Sequence, residues 1–106
     1  VGVFSLELAR QYAYIYQNTD RQFVIIHALD GYDEVSLTGA FKYFSNEGEN
    51  LATPADLQLP QLAADDIRGG EHVEASAKIF MNVLEGKGTP QQNAAIIANA
   101  GMALYA

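Results

Sequence analysis

Phe23-Val24-Ile25-Ile26-His27-Ala28-Leu29-Asp30-Gly31-Tyr32-Asp33-Glu34 is the stretch on which the fold turns. It opens with an unbroken apolar run, Phe23 to Ile26, rich in β-branched residues. A run this short favours a strand, and its lack of alternation favours one covered on both faces, as in α/β sheets. The stretch closes on a turn, Asp30-Gly31-Tyr32-Asp33-Glu34, carrying three carboxylates. In open α/β sheets, ligands bind just beyond the carboxyl ends of the strands, where this turn falls.

Upstream, Leu8, Tyr12 and Ile15 recur at helical spacing, with Ala9, Ala13 and Tyr16 beside them, so a helix with one buried face precedes the strand. Ser5 is its N-cap, and Glu7 suits the positive end of the helix dipole. Downstream, Phe41–Phe44 and Asn50–Ala52 flank the polar Ser45-Asn46-Glu47-Gly48-Glu49, the pattern of a hairpin with a polar loop. Thr53-Pro54-Ala55-Asp56 starts a helix that Pro60 keeps short. Residues 61–70 read as irregular and end in Arg68-Gly69-Gly70. Two helices close the chain. Val73, Ala77, Phe80 and Leu84 form an apolar stripe on the first, which Gly86-Lys87-Gly88 stops. Thr89-Pro90-Gln91-Gln92 is a capping box for the second. From Ala94 to Leu104 that helix is apolar nearly all round, a pattern normally buried on every side. A chain of 106 residues has little to bury it with.

Composition narrows the function. Six Lys and Arg stand against thirteen Asp and Glu, a formal net charge of -7, which disfavours mainly electrostatic binding to nucleic acid or anionic lipid. Charged residues make up only 18%, so the chain is globular rather than disordered. With no cysteine there is no disulfide framework, thiolate metal site or thiol nucleophile. No run is long enough for a membrane span, and the N-terminus lacks the charged start of a signal peptide, so a cytoplasmic location is expected.

Among candidate chemical groups, Asp33 and Glu34 offer adjacent hard oxygen ligands suited to Mg²⁺, which completes its shell with water and substrate phosphates. The competing reading is a solvated acidic loop. His27 ends the strand and reads as a core or rim histidine, since His72, the other histidine, is far off in sequence. Ser36 and Thr38 have no identifiable base and read as loop hydrogen-bonders. The tyrosines read as packing. Arg68-Gly69-Gly70 before a helix is a weak anion signal. No catalytic residue is assigned.

Five blocks, in order, carry a resemblance. They are Val3-Phe4-Ser5-Leu6-Glu7-Leu8, Asp30-Gly31-Tyr32-Asp33-Glu34-Val35-Ser36, Thr53-Pro54-Ala55-Asp56 with Leu59-Pro60, Leu84-Glu85-Gly86-Lys87-Gly88, and Asn99-Ala100-Gly101-Met102-Ala103-Leu104-Tyr105. Together they resemble the anthranilate phosphoribosyltransferases of tryptophan biosynthesis. Ala28 replaces a usual Gly, Ser76 a usual Asn, and Gln92-Asn93 a frequent Arg-Asp.

The resemblance implies an α/β fold: part of the three-layer catalytic domain of the nucleoside phosphorylase/phosphoribosyltransferase type. On that reading residues 1–106 lack the helical N-terminal domain and the phosphate-binding loops, consistent with a chain that begins at Val1 rather than Met. It further implies that Asp33 and Glu34 hold Mg²⁺ on the diphosphate of phosphoribosyl pyrophosphate. The family reaction transfers the phosphoribosyl group to the amine of anthranilate and releases diphosphate. These residues alone are expected to be inactive, and a homodimer or self-associated form is expected from the open sheet edge and the two-sided apolar helix. A pyrimidine nucleoside phosphorylase and a noncatalytic nucleic-acid-binding paralogue are the alternatives.

Overall fold

The computed structural model describes residues 1–106. Helix α1 (Leu6–Tyr16) leads to strand β1 (Val24–Ala28), followed by β2 (Phe41–Ser45) and β3 (Gly48–Ala52). Single 3-10 turns at Pro54–Leu57 and Ala64–Ile67 precede helices α2 (Val73–Leu84) and α3 (Pro90–Tyr105). The sheet has the order β1-β2-β3 with both pairings antiparallel, Ile26 opposite Tyr43 and Phe41 opposite Ala52. Along the other edge of β1, Val1–Val3 runs parallel. Ile26 donates its N–H to Val1 (2.8 Å) and accepts from Val3 (2.9 Å). Val1–Val3, joined to β1 by one parallel bridge with α1 as the connection, has the arrangement of a βαβ crossover, as expected of the α/β class.

All five residues of β1 are buried, as the unbroken apolar run predicts. Period-two alternation sends them to two separate cores. Ile25, with Phe23 and Phe44, meets Val3, Ala9 and the inner face of α1. Val24, Ile26 and Ala28, with Phe41, meet Val35, Leu37 and the Ala94–Ala98–Met102 stripe of α3. Helix, sheet and helix are therefore stacked as three layers, in agreement with the expected architecture.

Local signals hold at the caps. The Ser5 hydroxyl accepts from the Leu8 N–H at 3.2 Å. Thr89 and Gln92 form the expected reciprocal box. The Asp56 carboxylate accepts from both the N–H and the hydroxyl of Thr53, each at 2.8 Å. Those two bonds hold the Asp56 carboxyl below its usual range, the hydroxyl bond first. Gln58 ends that turn in the left-handed region, with φ 57°.

Four expectations are corrected. The hairpin loop is tighter than its polar run: the strands extend to Ser45 and from Gly48, and only Asn46-Glu47 turns, with Gly48 at φ 116°. Asn46 enables this by accepting from the Phe23 N–H and donating to the Arg21 carbonyl. Residues 61–70, read as irregular, contain the 3-10 turn at Ala64–Ile67. On α1, Ile15 is exposed, because the face against the sheet is Ala9-Tyr12-Ala13-Tyr16.

The fourth correction is the largest. The stripe Val73, Phe80 and Leu84 of α2 faces outward, with Val73 81% exposed. Helix α2 carries a second apolar row, of which Ile79 and Val83 are half-buried and, with the edge of Phe80, line a groove shared with Ala95 and Ile96 of α3. Likewise α3 buries one stripe and leaves Ile97 and Leu104 in the open. No helix is long and apolar enough to cross a membrane.

Candidate metal centre on the loop after β1

The loop after β1 is folded back rather than splayed. Leu29 donates its N–H to Ala40 (2.9 Å), closing the base of the loop across residues 29–40. Ala28 donates to Tyr32 (3.0 Å) and Gly31 to Ala28 (3.0 Å), with Gly31 at φ 105°. Asp33 then passes directly over Gly2. A Cβ on Gly2 would lie 1.5 Å from the Asp33 carbonyl oxygen, so only glycine permits this approach.

Next along the chain, Val35 is fully buried and its backbone is held by a side chain of α3. The Asn99 Oδ1 accepts from the Val35 N–H, and its Nδ2 donates to the Val35 carbonyl, both at 2.9 Å. The second Nδ2 hydrogen goes to Ala95, one turn back on the helix (2.9 Å). Two carbonyls require the NH₂ and one N–H requires the oxygen, which fixes the orientation of the amide.

Between the Tyr32 and Val35 anchors stand Asp33 and Glu34. Both are exposed, and neither carboxylate has a hydrogen-bond or ion-pair partner. Asp30, the third carboxylate of the turn, is instead occupied: it accepts from the Thr38 hydroxyl, which in turn meets the Ser36 hydroxyl at 2.8 Å. Ser36 and Thr38 are thus loop hydrogen-bonders, as read from the sequence. The pair borders a groove of about 620 Å³ whose wall includes Val1, Gly2, Asn99 and Ala103.

No group of three His, Cys, Asp or Glu side chains converges anywhere, so the chain builds no all-protein metal cage. Two adjacent, partnerless carboxylates do fit Mg²⁺, a hard cation that keeps several waters and is held by one or two carboxylates together with substrate phosphates. His27 belongs elsewhere. It is buried, and its Nδ1 lies 2.9 Å from the Val3 carbonyl. A carbonyl only accepts, so Nδ1 carries the proton and ties β1 to the parallel segment beside it. The helix start after Arg68-Gly69-Gly70 is capped internally, by His72 Nδ1 accepting from Ala75 at 3.2 Å.

Sequence reasoning singled out Asp33 and Glu34 and passed over Gly2 and Asn99, which shape the loop that carries them. Each had a signal: a glycine inside a strand-forming run, and a lone amide in the stretch Ala94–Leu104, which is otherwise Ala, Ile, Gly, Met and Leu.

A three-layer α/β domain with an acidic loop at the end of a buried strand is the class that fold and site define. A family model described as the α/β domain of a glycosyl transferase family matches residues 1–106, and the chain belongs to that family. Two relatives are anthranilate phosphoribosyltransferases. That of Christiangramia forsetii is 55% identical over 98% of this chain and that of Flavobacterium psychrophilum 51% over 98%. The chain spans about a third of their length, 31% and 32%. Among solved structures, the Thermus thermophilus anthranilate phosphoribosyltransferase superposes with a TM-score of 0.87 over 99% of this chain and 31% of its own, at 24% identity. The Saccharomyces cerevisiae enzyme, in complex with PRPP and Mg, gives 0.55 over 98% of this chain and 38% of its own, at 18% identity. Both likenesses concern the fold.

Proposed function

We propose that residues 1–106 form part of the α/β domain of an anthranilate phosphoribosyltransferase, and that Asp33 and Glu34 are its magnesium ligands. The observation that carries the reading is the pair itself: two solvent-facing carboxylates, free of partners, on a loop pinned at both ends. The names of the relatives, at 55% and 51% identity, supply the reaction. In it the amine of anthranilate bonds to the ribose carbon of phosphoribosyl pyrophosphate as the bond to diphosphate breaks.

Bound Mg²⁺ would act as Lewis acid and template on the departing diphosphate. The chain's own part is to present two oxygens without reorganisation and to set the polyanion against them. A surface of net charge -7 repels that polyanion, so the carboxylates favour it only through a cation. Arg10 and Lys42 pair with Glu49, Arg68 with Asp65 and Lys87 with Glu85, which leaves little free positive charge. The groups that grip phosphate and anthranilate, and any catalytic residue, are assigned to segments outside residues 1–106, so this stretch alone is inactive. A homodimeric, cytoplasmic parent completes the proposal; light scattering at high concentration tests the first part.

The test of the site is Asp33→Asn and Glu34→Gln in the full-length protein. Each should raise the Mg²⁺ concentration needed for half-maximal turnover. An unchanged magnesium dependence in both would remove the pair from the metal site.

A further inference from the structure

We propose that Asn99 is a positioning residue for the Asp33–Glu34 pair, so that α3 is part of the metal centre although none of its side chains is a ligand. The inference rests on the magnesium reading of the pair. Asn99 and Val35 are 64 residues apart in sequence, yet one amide satisfies both backbone groups of Val35. Between the Tyr32 carbonyl, held by Ala28, and Val35, held by Asn99, only Asp33 and Glu34 lie free. Their backbone is further confined by Gly2 beneath Asp33. Four backbone dihedrals therefore set where the two side chains leave the loop, and Asn99 fixes one end of that span.

The position is otherwise costly for an amide. Its helical neighbours at i-1 and i+3, Ala98 and Met102, belong to the apolar core against the sheet. Both Nδ2 hydrogens and Oδ1 are committed, so the side chain is rigid and transmits the placement of α3 to the loop. With alanine there, the Val35 N–H and carbonyl lose their partners, and the carboxylates gain freedom that must be lost again on binding a cation.

The experiment uses the full-length protein with Asn99→Ala and, in parallel, Asp33→Asn. Two quantities are read: amide hydrogen exchange across residues 32–37, and binding of Mn²⁺ in the presence of inorganic diphosphate by calorimetry. Asn99→Ala should expose the Val35 amide to exchange and weaken Mn²⁺ binding roughly 10- to 100-fold, the range for residues that orient metal ligands. Turnover should recover at high Mg²⁺, since the ligands themselves remain. A merely structural Asn99 would lower the folded fraction without shifting the metal midpoint, and that result overturns the proposal. Wild-type Mn²⁺ binding by Asp33→Asn would instead overturn the magnesium reading and the proposal with it. If Asn99→Ala fails to fold, Asn99→Ser, whose hydroxyl still serves one Val35 group, is read by the same criteria.

Discussion

Replacing Gly2 by alanine tests the link between the parallel edge of the sheet and the acidic loop. The added Cβ would lie 1.5 Å from the Asp33 carbonyl oxygen and 2.7 Å from its carbon. Ordinary contact needs about 3.4 Å, so one of the two backbones must retreat by about 1.9 Å. Each retreat has a definite cost. If Val1–Val3 leaves β1, the Val3–Ile26 and Ile26–Val1 hydrogen bonds go, with those from His27 Nδ1 to the Val3 carbonyl and from the Val1 nitrogen to Val24, and Val3 loses its buried place. If the loop leaves Gly2, the paired bonds between Val35 and Asn99 go instead. At a net ~1 kcal/mol for each hydrogen bond, with some lost burial, the first route costs about 4–5 kcal/mol and the second about 2–3 kcal/mol, so the loop is the part expected to move. Urea denaturation measures the total, and amide exchange identifies the route: Ile26 exposed in the first case, Val35 in the second. A loss under ~0.5 kcal/mol, with both amides as protected as before, would refute the close approach.

Other perturbations separate competing terms. Leu37 is fully buried at φ 62°, so Leu37→Gly relieves strain of about 1 kcal/mol but forfeits a core side chain of about 2–5 kcal/mol. The net should be a clear loss in unfolding free energy. Gln58, exposed at φ 57°, has only the first term, and Gln58→Gly should raise stability by about 0.5–1 kcal/mol in the same assay. In acid, Asp56 is depressed below its usual 3.8 by the Thr53 hydroxyl and then its N–H, and Glu49 below 4.5 chiefly by the hydrogen bond from Lys42. A depressed carboxyl contributes stability that is present above its unfolded value and lost as pH falls through its folded one. The urea midpoint should therefore drop below pH 4.5, and the Asp56→Asn, Glu49→Gln pair should flatten that drop. An equally steep drop in the double variant would mean that other groups control it.

Much of this was legible from local chemistry. An unbroken Phe23–Ile26 run, a Ser5 cap and a Thr89–Gln92 box each act within a few residues, and each stands where the sequence places it. Periodicity was less informative at α2. It reports that a helix is apolar on a face, but the partner of that face is a tertiary fact. Val73, Phe80 and Leu84 form the more regular stripe, yet they are exposed while Ile79 and Val83 are half-buried. The same holds at the site. Asp33 and Glu34 announce themselves as adjacent carboxylates, whereas Asn99 becomes meaningful only when the fold brings α3 against Val35. Asp30 was indistinguishable from its neighbours in sequence, and the Thr38 hydroxyl is what sets it apart.

The exposed apolar faces and the acidic loop belong to one account. A compact protein of 11.5 kDa has about 5800 Å² of accessible surface, against 6907 Å² here. The outward residues include Val73, Phe80 and Leu84 of α2, with Ile97 and Leu104 of α3. Helix α3 is thus shared: one stripe closes the core, Asn99 holds the acidic loop, and the outer face leaves Ile97 and Leu104 exposed. Whatever packs on that outer face bears on the helix that positions the carboxylates. A substitution such as Ile97→Asp, which touches no ligand, should then change the stability of α3 first and, through Asn99, the order of the Val35 amide. Exchange at Val35 that stays unaltered while α3 loosens would uncouple the two.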